Sequence, residues 1–288
     1  MSDVMYYPGS KTSQKEPITA ALLGLAGHSG FTFCEPMAGS GAVSLHLMKH
    51  GLISNLWLND ADPGIAALWY TIQHYPNILA CRIQRLDRDT AVEHFQIAQD
   101  RLRAYSGGDI LTQPAQDIID HGFEKLIAHK LSHGGLGMKS ICRGGCNQNA
   151  RPYYDNGRWR INRVDSRWTP EHTIRRIQQT HVWLNRHRAR ITNFDFEGVI
   201  DNQPPSTILY LDPTYFSEGE EMYYYTFSFD DHVRLMRAVF RIPNKWVMSY
   251  GDCPVARLLY EGWCNIQELP VQSQHTHKQR MDLVITRK

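Results

Sequence analysis

Phe31-Thr32-Phe33-Cys34-Glu35-Pro36-Met37-Ala38-Gly39-Ser40-Gly41-Ala42-Val43-Ser44 decides the fold. Phe31 to Glu35 reads as a strand, and Pro36 to Gly41 as a tight glycine loop. Ala42 to Lys49 continues as a helix whose Val43, Leu45, Leu47 and Met48 supply apolar surface. Strand, glycine loop and helix in that order form the nucleotide-cradling unit of a Rossmann-like fold, because glycine lets a ligand approach the backbone closely. The third glycine of the dinucleotide fingerprint is absent, with Ser44 in its place, and Glu35-Pro36 precedes the loop. A pyrophosphate-binding nicotinamide site is therefore the weaker reading.

Working outward from this stretch, Tyr6-Tyr7-Pro8-Gly9-Ser10-Lys11 is turn-rich and Pro17 to Leu25 reads as a helix with proline in its first turn. On the other side, Asn55 to Leu58 forms a second strand ending on Asn59-Asp60-Ala61-Asp62-Pro63. Asp60 lies 19 residues beyond Gly41, placed to accept hydrogen bonds from ribose hydroxyls. Asp62 reads as the turn residue that starts a helix from Gly64 to His74. This half thus calls for an adenosine-bearing ligand. Pro76 to about Gln116 reads as helical connecting structure, and Phe123 to Leu131 as a further helix.

A second stretch complements the first. Ile208 to Leu211 is a short apolar strand that stops on Asp212-Pro213-Thr214-Tyr215-Phe216, since proline cannot donate to a ladder. A carboxylate, exposed carbonyls and a ring therefore stand at a strand tip, where open α/β sheets bind ligands. Ile191 to Phe196 has a short strand pattern before the turn residues Asp201 to Pro205. Beyond Asp212, a helix from Asp230 to Phe240, a strand from Lys245 to Tyr250 and a helix from Val255 to Tyr260 follow. Cys264 to Val271 and Met281 to Thr286 read as a closing strand pair. The alternation predicts an α/β fold with a mostly parallel sheet and antiparallel carboxy-terminal edge strands.

Composition bounds what surrounds this sheet. A chain of 288 residues with 42% hydrophobic and 21% charged residues has the make-up of a globular domain, with no apolar run approaching a membrane span. Met1 to Met5 lacks a basic segment followed by an apolar one, so a cytoplasmic location is expected, and the six cysteines read as free thiols. The net charge of +2 hides an asymmetry. Between Glu124 and Arg190 there are 14 Lys and Arg against 4 Asp and Glu, a local +10, which leaves 17 against 25, or −8, elsewhere. Such a block points to a polyanion.

Within the block the sequence is basic, aromatic and rich in amides and glycine. Lys139, Arg143, Asn147, Asn149, Arg151, Arg158 and Arg160 are the residues expected to contact nucleic acid, with Tyr153, Tyr154 and Trp159 interleaved. Arginine and lysine engage phosphates, Arg, Asn and Gln read base edges, and aromatic rings stack in a disturbed duplex. His129, His133, Cys142 and Cys146 raise the question of zinc, but no repeat reinforces the spacing and no metal is expected. Thr169 and Pro170 then open a helix running towards His187.

These motifs, in this order, resemble the Dam-type, alpha-class DNA adenine N6-methyltransferases. Pro8-Gly9-Ser10-Lys11 is similar to the family's amino-terminal cofactor motif, Phe33 to Gly41 to its glycine loop, and Asp212-Pro213-Thr214-Tyr215 to its catalytic tetrapeptide. Thr214 stands where the family has a second proline, and Ser10 where glycine is usual. The resemblance implies a class I methyltransferase fold. Residues 1–120 and 191–288 would form an S-adenosyl-L-methionine-binding catalytic domain, and residues 121–190 an inserted, mostly helical and loop region for target recognition. It implies that Tyr7 and Lys11 border the S-adenosyl-L-methionine site, that Glu35, Pro36, Met37, Ala38, Gly39, Ser40 and Gly41 hold its methionine part, and that Asp60 holds its ribose. Asp195 and Phe196 would contact its adenine. Asp212, which also borders the cofactor, and the Pro213 carbonyl would accept hydrogen bonds from the amine of a base flipped out of double-stranded DNA, on which Tyr215 stacks.

A monomer in a bacterial or phage-infected cell is expected, with a cognate restriction endonuclease as a candidate partner. Methylation of cytosine N4 or of RNA adenine, and a nonenzymatic relative that binds cofactor or DNA, are the alternatives.

Overall fold

The computed structural model describes residues 4–5, 7, 9–86, 90–132, 135–139, 153–155, 158–160, 168–216, 225–272 and 279–288. Short apolar runs bounded by proline, glycine or an acid become strands, and longer amphipathic runs become helices. In chain order the regular elements are α1 (Lys15–Ala26), β1 (Phe31–Glu35), α2 (Ala42–Lys49), β2 (Ile53–Asn59), α3 (Pro63–His74), α4 (Pro76–Arg85), α5 (Ala91–Ala104) and α6 (Ala115–Leu131). They continue with β3 (Tyr153–Asp155), β4 (Arg158–Arg160), α7 (Pro170–Arg186), β5 (Arg190–Thr192), α8 (Phe196–Asp201), β6 (Ile208–Leu211), α9 (Phe229–Arg241), β7 (Trp246–Gly251), α10 (Pro254–Tyr260), β8 (Cys264–Gln272) and β9 (Gln279–Arg287).

Two compact units divide the chain. One comprises residues 9–62 and 183–288, and the other residues 1–8 and 63–182.

The first unit is built on a seven-stranded sheet in the order β5-β2-β1-β6-β7-β9-β8. Neighbours from β5 to β7 run parallel, while β9 is antiparallel to β7 and β8 to β9. The mostly parallel sheet with an antiparallel carboxy-terminal edge is the one the sequence predicts. Successive strands step outward in opposite directions from β1 and β6, so their carboxyl ends flank the topological switch point of the sheet. β6 is buried along its whole length, as a central parallel strand must be. Its Leu209 and Leu211 join Cys34, Val199, Leu235, Val239, Trp246, Met248 and Tyr250 in one apolar cluster.

Among its described residues the second unit is helical apart from the β3–β4 pair, in which Tyr153 stands opposite Arg160 and Asp155 opposite Arg158. Its α6 is longer than the predicted Phe123 to Leu131, starting directly after Pro114. Gly122 lies inside it because α3 packs against it closely: a Cβ at Gly122 would sit 2.8 Å from the Ala67 carbonyl oxygen. The predicted strand from Ile191 to Phe196 is also revised. β5 ends at Thr192, and Asp195 caps α8 by accepting from the Glu197 N–H at 3.0 Å.

Candidate active site

Because β1, β2, β5 and β6 are parallel, their carboxyl ends bring Glu35, Asp60, Asp195 and Asp212 to one edge of the sheet. The glycine loop crosses this edge between β1 and α2. Gly39 and Gly41 adopt φ of 47° and 59°, left-handed values that a side chain disfavours. Backbone donors help hold the loop: the Ala38 N–H donates to the Asn59 carbonyl at 2.9 Å, Gly39 N–H to Asp60 Oδ2 at 2.8 Å, and Gly41 N–H to the Ala38 carbonyl at 2.7 Å. Asp60 Oδ1 also accepts from the Asp62 N–H at 2.9 Å, so its carboxylate organises both the loop and the end of its own strand.

Asn59, a residue to which the sequence reading gave no role, ties these parts together. Its amide donates to the carbonyls of Pro36 and Phe194 at 2.9 and 3.0 Å, and its oxygen accepts from Thr192 Oγ1 and the Phe194 N–H. Asn59 has 1% of its surface exposed, and its bonds to the Pro36 carbonyl and Thr192 Oγ1 are fully buried, where an unmade one would be costly. Ser40 donates to Ser10 Oγ at 3.1 Å, which places the residue that stands for glycine in the amino-terminal motif against the loop.

Glu35 is buried and accepts a short hydrogen bond from Ser44, itself fully buried. Burial pushes the Glu35 carboxyl up to about 8; the Ser44 hydrogen bond opposes this, and the nearby Asp212 and Asp60 reinforce it. The serine that takes the place of the third glycine therefore has a structural partner in the acid at the end of β1.

At the tip of β6, Asp212 keeps 20% of its side chain exposed and receives two donors on the same oxygen. Lys11 Nζ lies 2.7 Å from Oδ1, and Ser249 Oγ donates to it at 2.7 Å. Lys11 is itself buried, donates to the Gly9 carbonyl at 2.9 Å, and sits 4.8 Å from the centre of the Tyr215 ring. Burial raises the Asp212 pKa, against the pull of Lys11 and the Ser249 hydrogen bond.

Pro213 is buried, and so is Tyr215, which stacks parallel to Tyr250 with ring centres 5.8 Å apart. The Tyr215 hydroxyl donates to Asp282 Oδ2 at 3.1 Å, and Gln14 Nε2 donates to the same oxygen at 2.7 Å. Arg280 pairs with the other oxygen at 3.2 Å. Gly251 is required beside this ring, since a Cβ there would fall 2.8 Å from Tyr215 Cδ2. Thr214, the departure from the family tetrapeptide, accepts from the Phe227 N–H at 2.8 Å, a link that a proline in its place could not make. Phe227 in turn stacks on Phe196 at 4.9 Å.

Among the residues expected to bind cofactor, the sheet unit thus brings Lys11, Glu35 to Gly41, Asp60 and Asp212 into one linked network. Asp195 follows Phe194, which bonds to Asn59, but its own carboxylate caps α8 and pairs with Arg234 at 2.7 Å, while Arg234 lies over the Phe196 ring. Tyr7 belongs to the helical unit, where its ring lies 5.1 Å from that of His129.

Of the residues expected to contact nucleic acid, Arg143, Asn147, Asn149 and Arg151 lie outside the described residues, Lys139 ends a 3-10 turn, and Arg158 and Arg160 belong to β4. His133, Cys142 and Cys146 also lie outside them; His129 Nδ1 is 2.8 Å from the Gly135 carbonyl oxygen. Ser249, Asp282 and Gln14 were missed from sequence. The signal for the first two was a polar residue inside an otherwise apolar strand, Trp246 to Tyr250 and Met281 to Ile285; Gln14 carried none.

Among the described residues no helix is long and apolar enough to cross a membrane. No curated protein matches the chain. Residues 156–277, which include the Asp212 to Tyr215 tetrapeptide, match the model of the D12 class N6 adenine-specific DNA methyltransferases.

Proposed function

We propose that the protein transfers a methyl group from S-adenosyl-L-methionine to N6 of adenine within a specific site of double-stranded DNA, after the base has been flipped out of the helix. The observation that carries this reading is the tip of β6. There Asp212, pinned through Oδ1 by Lys11 and Ser249, stands at the switch point of a parallel sheet, inside the family-matched segment. In this reading residues 1–120 and 191–288 bind cofactor and carry out transfer, and residues 121–190 recognise the target.

The chain's groups suit the cofactor. Glu35, an acid held in a buried setting, is matched by a cationic amine; the left-handed Gly39 and Gly41 leave the loop without side chains; and Asp60 offers carboxylate oxygens beside it. When bound, the cofactor supplies an electrophilic methyl group on a sulfonium. Glu35 to Gly41 would hold its methionine part, Asp60 its ribose, and Asp195 and Phe196 its adenine, with Lys11 between cofactor and tetrapeptide.

The exocyclic amine of adenine is a poor nucleophile because its lone pair is delocalised into the ring. Asp212 and the Pro213 carbonyl would accept hydrogen bonds from its two N–H groups, draw the nitrogen towards tetrahedral geometry and direct its lone pair outward, while Tyr215 packs against the base. As the methyl group leaves the sulfonium, which becomes a thioether, the nitrogen gives up one proton past the part-exposed Asp212 to solvent. Base flipping is needed because the amine lies inside the duplex, and the basic segment stabilises the opened DNA through phosphate and base contacts.

Sequencing of methylated DNA from cells expressing the protein tests the reading. N6-methyladenine at one recurrent sequence is expected; N4-methylcytosine, or unmodified DNA, would overturn it.

A further inference from the structure

Asp212 is held by more than the lysine of the amino-terminal motif. Asp212 directly follows β6, two residues beyond Tyr210, so the two side chains project to the same face of the sheet. Leu211 is paired with Met248 on the parallel neighbour β7, which brings the next residue, Ser249, abreast of Asp212. The three side chains meet: the Tyr210 hydroxyl lies 2.7 Å from Ser249 Oγ, and Ser249 Oγ lies 2.7 Å from Asp212 Oδ1. Tyr210 and Ser249 are both fully buried.

The direction of the chain of protons follows from counting donors. A serine hydroxyl has one proton, and here it goes to the Asp212 carboxylate. The Tyr210 hydroxyl must then be the donor to Ser249. With Ser249 and Lys11 both on Oδ1, that oxygen is engaged, and among the described residues no side chain hydrogen-bonds to Oδ2.

Resting on the function proposed above, we infer that Tyr210 and Ser249 are positioning residues for methyl transfer: their hydroxyls form a buried relay that locks the Asp212 carboxylate in one orientation and makes Oδ2 the oxygen offered to the acceptor amine. A carboxylate at a strand tip with one-fifth of its surface exposed would otherwise rotate about its own bond. The acceptor direction matters because the amine must be held with its lone pair aimed at the methyl group, and small errors of placement there are costly in rate.

The groups that face Asp212 are Lys11 from the amino-terminal turn, Glu35 on β1, Tyr210 on β6, Tyr215 beyond it, Ser249 on β7 and Asp282 on β9, while Arg280 lies over the Tyr215 ring. Of these, Lys11 and Ser249 favour the ionised carboxylate, and Asp282 opposes it. Removing the Ser249 hydroxyl therefore does two things. It frees the carboxylate to turn, and it raises the pH needed to ionise it.

The test is steady-state kinetics of the purified full chain on duplex DNA, with pH profiles, for the wild type, Ser249→Ala, Ser249→Thr and Tyr210→Phe. Ser249→Ala is expected to lower kcat by about tenfold to a hundredfold, the loss of one hydrogen bond to a charged group, with KM for DNA and cofactor little changed. The acidic limb of its kcat/KM profile moves to higher pH, which a loss of packing alone would not cause. Ser249→Thr, which keeps the hydroxyl, restores both. Tyr210→Phe, which removes only a buried hydroxyl, shifts both in the same direction by less and carries the test should Ser249→Ala fail to fold. An active wild type together with folded variants of unchanged kcat and pH profile overturns the relay. A wild type that makes no N6-methyladenine overturns the functional reading, and the relay with it.

Discussion

Glu35 links a chemical prediction to a single residue. An acid raised from its ordinary value of 4.5 to about 8 keeps its proton in the folded chain over a range where the unfolded chain has lost it. Stability therefore falls as pH rises through that interval, because there the native state binds more protons than the unfolded state. Asp212, also raised, acts with the same sign. Glu35→Gln removes the larger proton uptake and keeps a hydrogen-bonding partner for Ser44. The expected outcome is a flatter dependence of Tm on pH between about 5 and 8 for the variant than for the wild type; parallel curves would contradict the assignment. Ser44 shows why part of the site was hidden in the sequence. As a residue in a fingerprint it reads only as a missing glycine, and its hydrogen bond to Glu35 exists because the helix after the loop folds back against the strand before it.

At the scale of elements, the parallel strands were readable because each is a short apolar run closed by a residue that cannot continue it, as Pro36 and Pro213 do. Two elements were not. Asp195 and Phe196 look strand-like beside Ile191, yet the Asp195 side chain captures the Glu197 N–H and starts α8, so a local cap outweighs β propensity. The helix predicted from Phe123 begins at Ala115 instead and runs through Gly122, whose missing Cβ lets α6 lie against α3. The same logic at Gly251 yields a test. Gly251→Ala at the end of β7 pushes a methyl group against the Tyr215 ring, which Tyr250, Asp282 and Lys11 hold in place. Overpacking of this kind costs about 1–3 kcal/mol. A lowered denaturation midpoint and a loss of methyl transfer are expected together; an active variant of unchanged stability would show that the ring is free to move.

For the molecule as a whole, charge marks a region without drawing its edges. The +10 block runs from Glu124 to Arg190, whereas the chain passes from one compact unit to the other at 8/9, 62/63 and 182/183. Composition reports what a segment can attract, while the limits of a compact unit depend on contacts between distant parts of the chain. The sheet unit makes this plain: β1 and β2 come from before residue 63, and β5 to β9 from after residue 182. The proposed function turns on one contact, in which the Asp212 carboxylate at the tip of β6 accepts from the amine that is methylated. The most direct measurement compares purified wild type and Asp212→Ala for N6-methyladenine formed in duplex DNA, by nucleoside mass spectrometry, with S-adenosyl-L-methionine binding measured on the same samples. Loss of product in the variant with binding retained is the predicted result; N6-methyladenine formed by Asp212→Ala at the wild-type rate would contradict it.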